Sequence, residues 1–432
     1  MKSSKYIFIL PYDKDRTIVF NGFTKHFMLL KKEVLDSVII ILQSPDEYKD
    51  SHPIIIDLLK SKEFIIDDDF DELAQLQAER SIFVNSKEYK TTILSTFNCN
   101  YNCWYCVQKH VKKDVNTEQM DLIVKHVKTY LTENNIESYV LSWFGGEPLM
   151  EPNFINYVSD TLYNFCINNN VEFSGAITTN GALMNEKTIK LLLNNHIDYY
   201  HITIDGDKQT HDKIKHQEGE DSSFVTILQN IVKLLELNER ANVTLRLNYT
   251  IKTIKSNNLI SDINSIIPAK LRHRISVDMH KVWQINECSI PIKDLGLLVK
   301  KFYDSGYNIN TDHIFSICYV DKVHHNTIYY NGGVDKCDNH EVDRLRGYID
   351  STGHIIWHKE PIIDKVNPLD NENCCHQCKY YPLCYACCPV DREERIKKNG
   401  KLTCKYEGQF DIFEHRILEF CVRQMVKNNI QL

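Results

Sequence analysis

The chain has 432 residues, of which 43% are hydrophobic and 25% charged, a composition typical of globular proteins. This length predicts about two to four domains. The formal net charge of −7 at pH 7 argues against a general nucleic-acid-binding protein, because such proteins carry a basic surface.

The amino-terminal segment does not look like a secretory signal, because charged residues at positions 13–16 interrupt its short apolar run. No apolar run approaches the roughly 18 residues of a membrane-spanning helix. We therefore expect a cytoplasmic protein with neither a membrane nor a nucleic acid as its partner.

The first ninety residues are predicted to form a small winged domain. Three short strands come first, over Lys5–Pro11, Arg16–Phe20 and His26–Leu30. Two helices follow over Lys32–Leu42 and Pro53–Ser61, where apolar residues recur every three or four positions. A third is predicted over Phe70–Glu79, because the acidic run at 67–69 suits the positive end of a helix dipole. Such a domain can hold an extended peptide as an additional strand of its sheet. The alternative is a capping domain without a ligand.

Three cysteines follow the next β-type run, at positions 91–97, with the spacing CxxxCxxC. Thiolates of Cys99, Cys103 and Cys106 on one short loop can hold three irons of a [4Fe–4S] cluster, whereas such clusters usually have four cysteines. The spacing therefore indicates a cluster with one iron open to a small ligand. A zinc knuckle or three unrelated thiols are the alternatives, although zinc sites more often pair CxxC with a second CxxC or with HxxxH.

Residues 91–310 are predicted to alternate between strands and helices. Strands are expected at Thr92–Thr96, Tyr139–Phe144, Glu172–Thr179, Tyr199–Ile204, Val243–Ile251 and Arg274–Val282. Helices are expected at Thr117–Leu131, Pro152–Asn168, Glu186–Asn194, Phe224–Leu237, Asn257–Ile267 and Ile292–Tyr303. This alternation predicts a parallel sheet, open or rolled into a partial barrel, with its chemistry at the carboxyl ends of the strands.

The second strand of this repeat ends in the sequence GGEP, formed by Gly145, Gly146, Glu147 and Pro148. Two glycines allow a ligand to approach the backbone closely. We expect backbone groups here to bind an amino-acid headgroup and Glu147 to neutralise its ammonium. A plain strand-to-helix turn is the alternative.

Nine of the fifteen cysteines lie between positions 318 and 404, where the alternation of strands and helices ends. Disulfides are rare in the cytoplasm, so this clustering favours metal or cluster ligation. Short strands are predicted over Thr327–Tyr330 and His354–His358, and a helix over Phe410–Asn428. Three isolated cysteines are interpreted as buried packing residues: Cys166, Cys288 and Cys421.

The CxxxCxxC loop, followed one strand–helix unit later by GGEP, resembles the radical S-adenosylmethionine (SAM) enzymes. The resemblance implies that the open iron binds the amino and carboxylate groups of SAM, whose cleavage gives a 5′-deoxyadenosyl radical that abstracts a substrate hydrogen. It also implies that Tyr105 packs on the adenine and that GGEP borders the methionine. Further cofactor contacts are expected at later strand ends, with plain turns or satisfied polar groups as the alternative: Thr178, Asn180, Thr203, Asp205, Arg246 and Asn248.

The later cysteines resemble the seven-cysteine pattern of the SPASM domain, in which Cys318, Gly332 and Cys337 have thirteen and four residues between them. The resemblance implies two auxiliary [4Fe–4S] clusters and hence three clusters in total. The first would be held by Cys318, Cys337 and Cys388. The second would be held by Cys375, Cys378, Cys384 and Cys404.

The first auxiliary cluster lacks a fourth cysteine. In the related sulfatase maturases an eighth cysteine stands where this chain has Asp312, so the fourth site is an open iron, Asp312, Cys374 or Cys387. The auxiliary clusters either relay electrons and hold the domain together or bind the substrate. The same resemblance implies that Asp338, which follows Cys337, is a general base. A solvated turn residue is the alternative.

Together these resemblances predict an α/β protein with four parts. They are a PqqD-like leader-peptide recognition domain (1–90), a partial (β/α)6 TIM-type radical SAM barrel (91–310), a SPASM domain (311–410) and a C-terminal helix (411–432). The predicted function is modification of a ribosomally synthesised precursor peptide by a thioether or carbon–carbon crosslink. Expected partners are that peptide, bound through its leader, and a flavodoxin or ferredoxin-type reductant. Formylglycine formation and a non-catalytic zinc-ribbon adaptor are the alternatives.

Overall fold

A computed structural model describes residues 1–110, 116–217, 219–282, 284, 291–311, 314–338, 345–359 and 366–432. Within these ranges no helix is both long and apolar enough to cross a lipid bilayer. Cys288, predicted to be a packing residue, lies outside the described residues.

The amino-terminal part contains five strands and three helices. The strands are β1 (Lys2–Ser3), β2 (Ile7–Pro11), β3 (Arg16–Asn21), β4 (Phe27–Lys31) and β5 (Ile65–Ile66). The helices are α1 (Lys32–Gln43), α2 (Pro53–Ser61) and α3 (Glu72–Val84).

The central part alternates strands with helices. Its strands are β6 (Glu88–Leu94), β7 (Ser138–Phe144), β8 (Glu172–Thr179), β9 (Ile197–Ile204), β10 (Asn242–Tyr249), β11 (Ile275–Lys281) and β12 (Asn308–Ile309). Its helices are α4 (Thr117–Glu133), α5 (Pro152–Asn168), α6 (Glu186–Asn194), α7 (Lys208–Ile214), α8 (Ser223–Leu237), α9 (Ile251–Lys255), α10 (Leu259–Ile266), α11 (Ala269–Arg272) and α12 (Ile292–Asp304).

The carboxyl-terminal part has short strands followed by helices. The strands are β13 (His325–Tyr329), β14 (Gly333–Asp335), β15 (Gly347–Ile349) and β16 (Ile355–Trp357). The helices are α13 (Tyr381–Cys384), α14 (Pro389–Asn399) and α15 (Asp411–Lys427).

These elements belong to two compact units. The first comprises Met1–Asn85, Thr311–Asp321 and Ile362–Leu432. The second comprises Ser86–Asn310 and Lys322–Pro361. The chain therefore leaves the second unit and returns to it, so units that are compact in space are not continuous in sequence.

The second unit is built on an eleven-stranded sheet with the order β12-β11-β10-β9-β8-β7-β6-β13-β14-β15-β16. Strands β6 to β11 pair in parallel with their sequence neighbours, and β13 pairs in parallel with the other edge of β6. The carboxyl ends of these strands therefore lie on one side of the sheet.

Alternating burial along β7 shows how this sheet is covered. Tyr139, Leu141 and Trp143 are fully buried, whereas the intervening residues are half-buried. The Nε1–H of Trp143 donates to Oγ of Ser159 in α5 at 3.0 Å, so the buried face is the helix-covered one. Because successive side chains of a strand point to opposite faces, the half-buried residues of β7 face the interior of the partial barrel.

The first unit is organised around the antiparallel sheet β2-β3-β4. On one face, Phe20 and other sheet residues pack with Ile417 and Cys421 of α15. On the other face, Val19 packs with α1 and α2. Because adjacent strand residues point to opposite faces, β3 contributes to two cores.

A buried carboxylate joins two arginines in the first unit. Asp321 accepts from Nη1 of Arg80, in α3, at 3.0 Å and from Nη2 of Arg392, in α14. All three residues are less than a tenth exposed. The amino-terminal helices and the cysteine-rich segment are thus joined by this ion pair as well as by an apolar core.

The predicted fold class is confirmed: the chain is an α/β protein with a large parallel sheet whose strands β6 to β11 follow one another in sequence order, as in a partial barrel. Several elements were predicted to the residue, including Pro53–Ser61, Pro152–Asn168 and Glu172–Thr179. The predicted strand Val243–Ile251 was too long. Thr250 caps α9 by accepting from the backbone N–H of Thr253, so the strand ends at Tyr249.

Helix α14 was missed, although it carries helix-boundary signals. Pro389 stands at its first position, and Gly400 follows its end with a φ of +72°. Proline at the start and glycine just beyond the end are typical of a helix. Because the segment is rich in cysteines, a metal-held region with only short strands was predicted there instead of a helix.

Candidate functional site

A cavity in the second unit lies at the carboxyl ends of the parallel strands. Eleven of the predicted metal and cofactor residues line it: Cys99, Cys103, Tyr105, Cys106, Gly145, Gly146, Thr178, Asn180, Thr203, Arg246 and Asn248. These residues come from the loop after β6 and from the ends of β7, β8, β9 and β10. The parallel topology thus brings distant sequence motifs to one side of the sheet.

Three predicted cofactor residues do not line this cavity: Glu147, Pro148 and Asp205. The predicted base Asp338 is also absent from its lining.

The three thiols of the CxxxCxxC loop border the same cavity, which suits the donor set of an iron–sulfur cluster. Burial raises the pKa of the Cys99 thiol to about 11. Among the described residues, no group of three or more His, Cys, Asp or Glu side chains is placed to hold a single metal ion. The thiolates around a multi-iron cluster lie farther apart than those around a single tetrahedral ion. The lack of a single-ion site therefore does not conflict with a cluster on this loop.

The two glycines of GGEP are required by close backbone contact with the start of the cluster loop. A Cβ at Gly145 would stand 2.3 Å from the carbonyl oxygen of Thr96, and one at Gly146 would stand 2.3 Å from that of Asn98. The backbone N–H groups of Gly146 and Glu147 donate to Thr96 and Asn98 at 2.9 and 2.8 Å. The GGEP turn therefore fixes the position at which the cluster loop begins.

The Glu147 carboxylate connects the GGEP turn to the end of β8. Its Oε1 accepts from the Thr179 hydroxyl at 2.7 Å and from Leu149 N–H at 3.0 Å, while Oε2 accepts from Asn180 N–H at 2.7 Å. Burial raises the pKa of Glu147 to about 7, and these hydrogen bonds oppose the rise. In this geometry Glu147 orders the strand ends, and its contact with a bound ammonium stays a prediction.

Asn180 connects the end of β8 to the cluster loop. Its Nδ2 donates to Oδ1 of Asn100 at 2.7 Å and lies 3.8 Å from Sγ of Cys99. Hydrogen bonds to cluster sulfurs tune iron–sulfur centres. The amide of Asn180 is therefore placed to donate a hydrogen bond to the sulfur of Cys99, the first cysteine of the loop.

Asp205 lies behind the cavity wall and holds residues that line it. Its Oδ1 accepts from the hydroxyl of Tyr105 at 2.7 Å and from Nδ2 of Asn248 at 3.0 Å. Its Oδ2 accepts from the ammonium of Lys215. The side chain predicted to touch a cofactor thus contacts two other predicted residues and one unpredicted lysine.

Sequence reasoning missed several cavity residues: Tyr101, Val107, Gln108, His110, Phe144, Lys215, Lys281, Val282 and Gln284. Those adjoining the cysteine loop or ending a predicted strand had a positional signal. Lys215 had none, because it follows α7 and reaches the cavity only in the folded chain. Gln284 donates to the carbonyl oxygen of Tyr105 at 2.5 Å.

The four cysteines assigned to the second auxiliary cluster all belong to the first unit. Burial raises the pKa of Cys384 to about 11, and the neighbouring thiols of Cys378 and Cys404 raise it further. The hydrogen bond with the neighbouring Cys374 thiol raises the pKa of Cys375 most strongly, followed by burial and then by the thiols of Cys384 and Cys378. Common ligation of one cluster by the four cysteines stays a prediction.

The cysteines assigned to the first auxiliary cluster are divided between the units. Cys318 and Cys388 belong to the first unit, and Cys337 belongs to the second. Their common ligation of one cluster therefore stays a prediction. In the second unit, the Tyr329 hydroxyl donates to the carbonyl oxygen of Cys337 at 3.4 Å. Asp338 is half-buried directly after this cysteine.

The candidates for a fourth ligand of this cluster have different surroundings. Asp312 lies outside the described residues. The Sγ atoms of Cys374 and Cys375 are 3.8 Å apart, and their hydrogen bond lowers the pKa of Cys374 to about 7. The backbone N–H of Cys387 donates to Sγ of Cys384 at 3.2 Å. Both candidate thiols thus lie beside cysteines assigned to the second auxiliary cluster.

Comparison with known proteins finds relatives of the region that supplies most of the cavity. Residues 93–248 match the family described as the Radical SAM superfamily. A cysteine-type anaerobic sulfatase-maturating enzyme from Clostridium novyi is 25% identical over 363 residues, covering 74% of this chain and 92% of the relative.

Solved structures support the same fold. Polyhistidine-tagged anSMEcpe with bound AdoMet has a TM-score of 0.54 and 18% identity, covering 80% of this chain and all of that one. Native anSMEcpe with bound AdoMet and the Cp18Cys peptide has a TM-score of 0.52 and 16% identity, covering 79% of this chain and 99% of that one. At these identities the likeness concerns the fold.

Proposed function

We infer that this chain, which is an enzyme of the radical SAM superfamily, oxidatively modifies a ribosomally synthesised peptide by forming an intramolecular thioether or carbon–carbon crosslink. The observation that carries the proposal is the cavity in which the thiols of Cys99, Cys103 and Cys106 meet the glycines of GGEP. A cluster and SAM bound there would supply a 5′-deoxyadenosyl radical for hydrogen abstraction.

The residues around the cavity suit these two groups. The three thiols would hold three irons, leaving the fourth for SAM. Asp205 accepts a hydrogen bond from the hydroxyl of Tyr105, and Gln284 donates one to its backbone carbonyl oxygen. These contacts hold the Tyr105 ring in place, and its flat apolar face suits the adenine. The cationic groups of Arg246 and Lys281 line the cavity and suit the carboxylate of SAM.

The amino-terminal sheet supports a peptide as substrate. Strands β2 and β4 each pair only with β3 among the described residues, so each has a second edge without a strand partner there. An extended leader peptide would add to such an edge through main-chain hydrogen bonds. Binding of the leader would raise the effective concentration of the region to be modified.

The cysteines of the carboxyl-terminal part support oxidation as the outcome. Removal of one hydrogen atom by the radical leaves one proton and one electron to be lost as the new bond forms. Auxiliary [4Fe–4S] clusters on Cys375, Cys378, Cys384 and Cys404, and on Cys318, Cys337 and Cys388, would accept the electron, with Asp338 as the proposed base. A flavodoxin or ferredoxin-type protein would supply the electron that starts each turnover.

The first test is the composition and basal chemistry of the anaerobically purified protein. The proposal expects iron and sulfide in proportion to three [4Fe–4S] clusters and cleavage of SAM to 5′-deoxyadenosine with dithionite. Zinc without iron, as in tetrahedral zinc-ribbon sites, would instead identify a non-catalytic adaptor.

The second test uses the peptide encoded by a small open reading frame beside the gene. Incubation with SAM and reductant should remove two hydrogens from the peptide for each crosslink. The isolated leader should compete with that peptide for binding, whereas a peptide without its leader should bind more weakly and be insensitive to this competition. An unchanged peptide mass with active SAM cleavage would contradict the proposed outcome.

Formylglycine formation is the second candidate, and the relation to the Clostridium novyi enzyme favours it. It predicts an aldehyde on a cysteine or serine of the substrate. Trapping with a hydrazide probe distinguishes the aldehyde from a crosslink, which does not react.

A further inference from the structure

The three thiols of the cluster loop share their cavity with the buried ammonium group of Lys215. The side chain of Lys215 is 4% exposed, and that of its ion-pair partner Asp205 is 1% exposed. Burying two charges costs desolvation free energy, which is recovered only when the groups have good geometry and further hydrogen bonds. The pair therefore depends on the surrounding polar groups.

Those further hydrogen bonds involve residues on both sides of the pair. The Asp205 carboxylate also accepts from the Tyr105 hydroxyl and Asn248, while the ammonium of Lys215 donates to the Tyr105 hydroxyl at 3.2 Å. The Asp205 backbone N–H donates to Nδ1 of His211 at 3.1 Å. Both charged groups consequently hold the residue that precedes Cys106 in the cluster loop.

The same segment of the chain holds the cluster loop at two more places. The hydroxyl of Tyr101 donates to both carboxylate oxygens of Glu220, at 3.0 and 2.9 Å. Nδ2 of Asn100 donates to Oε1 of Gln217 at 3.2 Å. Positions 205–220 thus contact the beginning and the end of the loop.

The two charges lie at different depths relative to the thiols. Lys215 lines the cavity with the cysteines, whereas Asp205 does not. The ammonium of Lys215 also lies 5.9 Å from the centroid of the Tyr105 ring, which lines the same cavity. Lys215 is therefore the charged member of the pair that borders the cavity of the thiols.

We propose that Asp205 and Lys215 form a positioning and charge-setting pair for the cluster held by the CxxxCxxC loop. Asp205 fixes the loop through Tyr105, and Lys215 places a positive charge beside the thiolates. The inference rests on the proposed function, because it requires an iron–sulfur cluster on this loop. Reduction adds negative charge to a cluster, so a nearby cation favours the reduced state and an unpaired carboxylate disfavours it.

The test is the midpoint potential of this cluster in the full-length, anaerobically reconstituted protein. Its electron paramagnetic resonance signal is identified as the one that changes when SAM is added. Lys215→Met should lower the potential, because the charge of Asp205 is then uncompensated. Asp205→Asn should raise it, because Lys215 then keeps an unneutralised charge. The double variant should return towards the wild-type potential.

Two further variants separate charge from general damage. Lys215→Arg preserves the cation, so its potential should stay closer to wild type than that of Lys215→Met. Lys208→Met removes a lysine from the same stretch of chain, where the ammonium of Lys208 lies 3.6 Å from Asp212 and is 51% exposed. This control should not shift the potential.

The outcomes also distinguish this inference from the proposed function. Unchanged potentials, or shifts of the same sign in Asp205→Asn and Lys215→Met, would overturn the inference while the SAM-dependent signal remains. Absence of that signal from the wild-type protein would contradict the proposed function instead. If Lys215→Met does not retain iron, Asp205→Asn alone provides the test: a raised potential supports the inference, and an unchanged or lowered potential overturns it.

Discussion

Gly146 and Asn98 lie so close together that a side chain at position 146 has no space. An added Cβ would stand 2.3 Å from the carbonyl oxygen of Asn98 and 2.8 Å from that of Phe97. Both obstructing atoms belong to the backbone, so no change of rotamer relieves the contact. The GGEP turn and the start of the cysteine loop therefore constrain each other.

Gly146→Ala should destabilise the protein by about 1–3 kcal/mol, the usual cost of overpacking, and should abolish most SAM cleavage by displacing the cluster loop. Chemical denaturation and the yield of 5′-deoxyadenosine measure the two effects. Gly400→Ala is the control for SAM cleavage: the φ of +72° makes alanine costly for stability there, but no atom lies within 4 Å of the added Cβ and no cavity residue is touched. It should retain SAM cleavage, and equal cleavage by both variants would contradict the proposed contact.

Replacement of Cys99, Cys103 or Cys106 by alanine should lower the iron content by about four atoms per chain and eliminate SAM cleavage. The matched control is Cys166→Ala, since Cys166 is fully buried in α5 and outside the cavity. That variant should keep its iron and lose only about 1 kcal/mol of stability. SAM cleavage by any of the three loop variants would refute their assignment as cluster ligands.

Asp321→Ala should destabilise the protein strongly, because it leaves the guanidinium groups of Arg80 and Arg392 buried without their carboxylate. Breaking a buried ion pair by removing one partner typically costs about 3–5 kcal/mol. Urea unfolding provides the measurement. Glu186→Ala removes an exposed ion pair with Lys190 and should change stability by less than about 1 kcal/mol. Similar losses in both variants would show that Asp321 is not a structural centre of the first unit.

Lys25 should make stability depend on pH in the alkaline range. Its ammonium is buried beside the carbonyl oxygens of Gly22 and Pro382, and burial lowers its pKa from 10.5 to about 7. Between these values the unfolded chain binds a proton that the folded chain does not, so the free energy of unfolding rises with pH. The contribution is lost as the pH falls through 7.

The stability of the wild type relative to Lys25→Met should therefore rise between pH 7 and pH 10, by up to about 1.4 kcal/mol per pH unit. Denaturant titrations at several pH values give this difference. Lys190→Met, at a lysine that is 60% exposed, is the control and should show no such trend. A flat difference for Lys25→Met would mean that Lys25 is charged in the folded protein.

Local patterns predicted the parts of the fold that depend on near neighbours. Helices such as Pro152–Asn168 were found to the residue because apolar periodicity and a starting proline stand in one short segment. The strand repeat also predicted that the cysteine loop, GGEP and the later strand ends would meet on one side of the sheet, where the cavity lies.

Long-range contacts decided the features that these patterns did not predict. Strand β13 pairs with β6, more than two hundred residues earlier, and the amino-terminal sheet packs against α15 at the other end of the chain. Sequence spacing carries no information about such pairs, because their sequence separation is unrelated to their distance in the fold. The Glu147 carboxylate likewise accepts hydrogen bonds from Thr179 and Asn180, which the end of the neighbouring strand β8 brings to it.

The sequence by itself determined the chemistry of the site: three thiols at CxxxCxxC spacing, GGEP at a strand end and the βα order that brings them together. Such features follow from local spacing and from the direction of parallel strands. Only the tertiary structure decided that Asp205 faces Tyr105 and Lys215 rather than the cavity. The physical reason is that a buried charge takes the partners that folding places around it, and these come from separate segments of the chain.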